Sequence, residues 1–148
     1  AERFGMVYID KDGNKKYPYV IHRTSIGCYE RTLALLIEKY AGAFPTWLAP
    51  VQVKVLPISE KQIEYAEKVT AKLKESGIRV ELDDRNEKIG YKIREAQMQK
   101  IPYMLIVGDK EAEAGAVAVR SRKNGDLGAT PLNDFIEKIL IEIKNKER

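Results

Sequence analysis

One imidazole and one thiol stand near the start of the chain, His22 and Cys28, and nucleophile-and-base chemistry is the first possibility they raise. That chemistry needs a third group to orient the base, and none is in view across the strand-to-helix turn that separates the two. A single histidine also excludes a histidine-pair metal site within the chain. No glycine-rich phosphate loop and no GxGxxG fingerprint after a strand is present. What remains is basic charge. The net charge of +4 is modest, but the bias is local. Arg85, Lys88, Lys92, Arg94 and Lys100 outnumber Glu87 and Glu95, and Arg120, Arg122 and Lys123 form a second cluster. Two basic clusters on a balanced chain suit a polyanion such as RNA. A solvated helix face and a charged loop account for them equally well.

The elements that must position these residues fall into two parts. Residues 4–10 and 17–26 read as strands around an Asp12-Gly13 hairpin turn. Residues 29–41 read as a helix, with Leu33, Leu36, Ile37 and Tyr40 at helical spacing and Gly42 as its stop. Strand, turn, strand and helix are too little for a core. Leu33, Leu36, Ile37 and Tyr40 are therefore expected to leave an exposed apolar patch or to meet few partners in the rest of the chain. Residues 43–50 contain two prolines and Trp47, a connector with some rigidity. The domain boundary is placed there, giving parts 1–48 and 49–148.

The second part alternates. Residues 51–57 read as a strand. Ser59 and Gln62 have the spacing of a capping box opening a helix with the stripe Ile63, Ala66, Val69, Leu73. Gly77 ends it, and Ile78–Leu82 follows as a strand. A helix over 88–100, an apolar strand over Tyr103–Val107, a turn at Gly108-Asp109, a strand over 115–121 and a helix over 131–146 complete the pattern. The fold class is α/β: a small mixed, mainly parallel sheet flanked by helices. Ligands of such sheets sit at the carboxyl ends of strands, here near Asp83–Asn86 and Gly108–Glu111.

The bulk properties agree. Hydrophobic residues at 44% and charged residues at 32% suit a globular protein. No apolar run approaches the roughly 18 residues of a membrane helix. A lone cysteine excludes an internal disulfide and is compatible with a reducing, cytoplasmic setting. Ala1–Phe4 does not read as a signal peptide, and the missing initiator Met suits a fragment of a longer protein.

Two segments carry a resemblance. His22-Arg23, then Gly27-Cys28-Tyr29-Glu30-Arg31 before an apolar helix, resembles motif 3 of class II aminoacyl-tRNA synthetases. The resemblance implies that Arg31 meets the ATP γ-phosphate; forked donors at a helix N-terminus suit a polyphosphate. It closely resembles the threonyl-tRNA synthetases. There the histidine at the position of His22 is one of three zinc ligands, the other two lying upstream of residue 1. The resemblance thus implies zinc and ATP with magnesium in a full-length enzyme, and neither in this chain alone. RNEKIGYKIREAQ (85–97), the segment running from Ile101 to Glu111, and AGAFPTWLAPVQV (41–53) are similar to the anticodon-binding domain of the same family. By position, the resemblance assigns anticodon contacts to Asn86, Lys100, Glu111 and Arg120.

Within that resemblance, Lys92 and Arg94 would neutralise RNA backbone phosphates or solvate their helix. Tyr91 would stack on a base or be buried, and Asp84-Arg85 is a candidate ion pair. The implied partner is a threonine tRNA, with Asn86, Glu111 and Arg120 forming one surface at the strand tips, and with neither DNA nor membrane involved. The implied parent dimerises through its catalytic domain, and the chain by itself is expected to be inactive as a ligase. The alternative is a reused anticodon-like domain that binds protein or RNA without ligase activity.

Overall fold

The computed structural model of the chain describes residues 1–147. Two compact units divide within a helix, between Leu35 and Leu36.

The first unit opens with a 3-10 turn at Glu2–Phe4 and a two-residue antiparallel hairpin, β1 (Tyr8–Ile9) and β2 (Lys15–Lys16). Asp10 closes the hairpin. Its Oδ1 accepts from the Asp12 and Asn14 N–H groups at 2.9 Å, and its Oδ2 pairs with Lys16 at 2.7 Å. The longer strands expected over 4–10 and 17–26 do not form. β-Rich segments need neighbours to pair with, and residues 17–28 have no regular structure. Helix α1 (Tyr29–Tyr40) matches its expectation. Leu33, Leu35 and Ile37 on it are exposed, as are Tyr19 and Ile21 before it.

In the second unit the sheet is β3 (Val53–Pro57), β4 (Val80–Leu82), β5 (Tyr103–Val107), β6 (Ala116–Ser121) and β7 (Gly125–Pro131), in the order β4-β3-β5-β6-β7. β3, β4 and β5 run parallel; β6 and β7 join by antiparallel pairing. The sequence shows no sign of β7. Gly125, Gly128 and Pro131 give it low strand propensity, and it exists because β6 offers it a ladder. A second addition is α4 (Asp109–Ala114), where a turn was expected.

Side-chain alternation splits the sheet into two faces. Val53, Val55, Leu105, Val107, Val117 and Val119 face helices α2 (Ile63–Glu75) and α5 (Leu132–Asn145), whose Ala66, Val69, Leu73, Phe135 and Ile139 complete the main core. Leu56 and Met104 face helix α3 (Ile89–Met98) and pack with Ala96 and Ile101. This second core stops at β5. Ala118 and Arg120 of β6 are only half-buried, and their register partners Ala129 and Asp126 of β7 are exposed. Half of one sheet face therefore stays open.

The connector is built into the second unit. Arg79 donates to the Ala49 carbonyl through Nε and to the Trp47 carbonyl through Nη2, both at 2.9 Å. Gln52 donates to Thr46 O at 2.9 Å and receives the Arg79 N–H at 2.9 Å. Arg122 donates to the Phe44 carbonyl at 2.7 Å, the Ala43 carbonyl at 3.2 Å and the Lys100 carbonyl. These bonds explain why the residues from Leu36 onward cluster with the sheet.

Candidate nucleic-acid interface

The carboxyl ends of β3, β4 and β5 carry three loops. After β3, Ser59 and Gln62 form the expected capping box: the Ser59 N–H donates to Gln62 Oε1 at 3.0 Å. The bond places Glu60 on a 3-10 turn at the strand tip. After β4, the 83–88 segment exposes Asn86, whose Nδ2 donates to Glu60 Oε1 at 3.1 Å. After β5, Glu111 sits in the first turn of α4, where its Oε2 accepts the Gly108 N–H at 3.0 Å. One carboxylate oxygen thus caps the helix. Oε1 accepts no hydrogen bond among the described residues and is available to a donor from outside.

An ion network ties the 83–88 segment to α3. Asp83, 4% exposed, accepts two bonds from Arg85, from Nε at 2.8 Å and Nη2 at 2.7 Å. The Arg85 fork also reaches Glu95 on α3. The Arg85 hydrogen bond holds the Asp83 carboxyl below its ordinary range, against an opposing effect of burial. Arg85 likewise lowers Glu95, and Asp83 more than Glu95 raises Arg85. The expected Asp84-Arg85 pair is corrected here: the Arg85 fork is taken by Asp83 and Glu95, the first buried beside it. Tyr91 is neither stacked inside nor idle. It is half-exposed, and its hydroxyl donates to Glu95 Oε1 at 3.2 Å, one helical turn on.

The remaining site residues separate by position. Arg120 is not at a strand tip. It pairs in register with Met104, so it lies four residues back along β5 from Gly108, about 13 Å at strand rise. It projects on the open half-face, and its guanidinium has no hydrogen-bond or ion-pair partner among the described residues, although Asp126 stands opposite in the ladder. The single surface expected at the strand tips is thus corrected to two regions, Asn86 with Glu111 at the tips and Arg120 on the open face.

Lys100 lies at the other end of α3, beside the start of β5, in left-handed backbone at φ 58°. Its ammonium donates to Ala41 O and its carbonyl accepts from Arg122, so it serves the connector. Lys92 is also a correction. It is 2% exposed, with Nζ donating to Asp83 O at 3.0 Å and Pro57 O at 3.2 Å, and cannot touch an RNA phosphate. Arg94 is exposed on the same helix and keeps that option. Arg122 keeps its charge but turns it inward, since the carbonyls of Ala43, Phe44 and Lys100 occupy its fork.

In the first unit, Arg31 is exposed in the first turn of α1 and His22 is exposed ahead of it. Cys28 donates to Glu30 Oε2 at 2.8 Å, a carboxylate partner and not an imidazole. Among the described residues no three His, Cys, Asp or Glu side chains converge as a metal site.

Glu60 and Glu95, which hold Asn86 and Arg85, were not legible beforehand as site residues. Only the helical spacing of Tyr91 and Glu95 signalled a shared face.

Set beside known proteins, residues 52–142 match the family described as "Anticodon binding domain". The chain is similar to the threonine–tRNA ligase of Clostridium perfringens (strain SM101), 67% identical over 147 residues, 99% of this chain and 23% of that protein. It is similar to that of Clostridium botulinum (strain Eklund 17B), 66% identical over 148 residues, 100% of this chain and 23% of that protein. It thus spans about a quarter of the length of these relatives. Its fold resembles the RNA-binding domain of threonyl-tRNA synthetase from Cryptosporidium parvum, with a TM-score of 0.74 and 36% identity over 95% of this chain and 36% of the other. It also resembles prolyl-tRNA synthetase from the same organism, with a TM-score of 0.66 and 26% identity over 98% of this chain and 32% of the other.

Proposed function

The chain belongs to the anticodon-binding domain family, and from that membership we propose that it reads the anticodon of a threonine tRNA as part of a threonine–tRNA ligase. The observation that carries the assignment is the match of 67% identity along 99% of the chain to a ligase of that name.

The geometry supports a division of labour. Unpaired anticodon bases splay out and expose their Watson–Crick edges. The second and third letters shared by threonine anticodons are G and U. The free Glu111 oxygen accepts from a donor edge such as that of guanine, and the Asn86 amide meets a neighbouring base. Arg120, unpartnered on the open face, offers its fork to a base or phosphate. Arg94 adds salt-dependent attraction to the RNA backbone. Lys92, being buried, takes no part in contact, and the exposed Lys100 holds the Ala41 carbonyl.

In the whole ligase, threonine and ATP would form the adenylate before transfer to tRNA. Arg31 would face the nucleotide phosphates, and His22 would supply one imidazole to zinc. By themselves the described residues do not fit zinc, because no three His, Cys, Asp or Glu side chains among them converge. Such a ligase would act as a dimer in the cytoplasm. No helix among the described residues is long and apolar enough to cross a membrane.

Fluorescence titration with anticodon stem-loops tests the assignment. Each base-edge contact discriminates by about 1–3 kcal/mol. Arg120→Ala, and Glu111→Gln, which keeps an acceptor for the Gly108 N–H, are expected to weaken binding of the threonine stem-loop roughly 5- to 150-fold. A stem-loop with altered second and third letters should lose far less. Equal losses on both RNAs would refute base reading at these positions.

A further inference from the structure

Lys92 stands where elementary energetics disfavours a cation. It lies in the first turn of α3, at the positive end of the helix dipole, and it is buried. A buried ammonium persists only where hydrogen bonds and opposite charge replace its water. Here Pro57 O and Asp83 O accept from Nζ, and the Asp83 carboxylate supplies attraction.

The two carbonyls belong to different strands at a particular place. Pro57 is the last residue of β3, and Asp83 directly follows β4. Register pairing between these strands ends at Val55–Leu82, with one further bond from the Asp83 N–H to Val55 O at 3.0 Å. Past that point the two chains part into the 58–62 and 83–88 segments, and Lys92 bridges them where the ladder has run out. A few residues along each branch stand Glu60 and Asn86, joined by their own hydrogen bond.

We propose that Lys92 is a positioning residue for base recognition: by binding both carbonyls it fixes the spacing of the two segments and so aims the Asn86 amide at an unpaired base. The proposal rests on the RNA-reading function above. It assigns Lys92 no contact with RNA, which separates it from a phosphate-binding lysine.

The test uses Lys92→Met, which keeps the length of the aliphatic stem and removes the donors, and needs two measurements. Hydrogen–deuterium exchange on the free protein should be at least tenfold faster in 58–62 and 83–88, with the amides of α2 and α5 unchanged. Stem-loop titration across a salt series should show the preference for the threonine anticodon reduced at least tenfold. The slope of log affinity against log salt should not change.

Unchanged exchange in the two segments would overturn the positioning role. So would an unchanged anticodon preference, or a salt slope shallower by about 0.7, the signature of one lost phosphate contact. Because exchange is read without RNA, its failure is distinguishable from a failure of the wild-type protein to prefer any anticodon, which would sink the RNA reading and the aim of Asn86 with it. Lys92→Gln retains a neutral donor and should recover part of the preference. If the methionine variant does not fold, the glutamine variant carries the same comparisons.

Discussion

Arg122 separates charge as seen in sequence from charge as used in the fold, and Arg122→Ala makes the difference measurable. The side chain donates to the carbonyls of Ala43, Phe44 and Lys100, two of them on the connector. A hydrogen bond from a charged donor contributes about 1.5–3 kcal/mol when shielded from water. The Arg122 side chain is only half-buried, and water can reclaim some of the orphaned carbonyls, so the sum is discounted to about 3 kcal/mol. For a chain of this size that lowers Tm by roughly 6–12 °C.

Urea denaturation should show the midpoint falling with little change in slope. Exchange in residues 41–50 should accelerate. Arg122→Lys should behave nearly as badly, because one ammonium cannot span three carbonyls as a planar fork does. Stem-loop affinity, measured well below Tm, should stay within about twofold of wild type. A stability loss under about 0.5 kcal/mol, the scatter of ordinary surface changes, would refute the clamp. So would a salt slope shallower than that of wild type, which would return Arg122 to the RNA surface.

Two more outcomes follow from the strand tips. Asp83 is held below its ordinary range chiefly by the Arg85 hydrogen bond, so its contribution is complete above the unfolded pKa and is lost as pH falls through the folded one. Stability should drop below about pH 4, and Asp83→Asn should flatten that acid limb in denaturant midpoints taken against pH; an identical limb in the variant would exclude Asp83 as its source. At Gly108, an added Cβ would meet Ile58 Cδ1 at 2.8 Å and Glu111 Oε2 at 2.9 Å, both movable ends of side chains on ordinary extended backbone. Gly108→Ala should therefore cost only about 1 kcal/mol while displacing the Glu111 carboxylate and weakening the threonine stem-loop; wild-type RNA affinity in this variant would show that Glu111 is not read.

Much of the scaffold was legible because its causes are local. The stripe Ala66, Val69, Leu73 predicts the buried side of α2, and Phe135, Ile136 and Ile139 that of α5, since helical period alone brings them together. Ser59 and Gln62 cap as their spacing requires. Gly77 ends α2 at φ 78°, a conformation that favours glycine. Asn86 and Glu111 fall at strand tips because strand and helix boundaries place them there. The six-residue α4 is too short to show a period, and β7 has too little strand propensity to be seen without β6 beside it.

Residue types and spacing determined the four longer helices, which strands are central, and the family to which 52–142 belong. What they left open was where each long charged side chain ends. Lys92, Lys100, Arg122 and Arg120 look alike in sequence. One is buried against two strand ends, two hold the connector, and one stands unpartnered on the open face. A flexible side chain satisfies its charge with whatever acceptors lie within about 3 Å, and only the packing of distant segments decides which carbonyls those are.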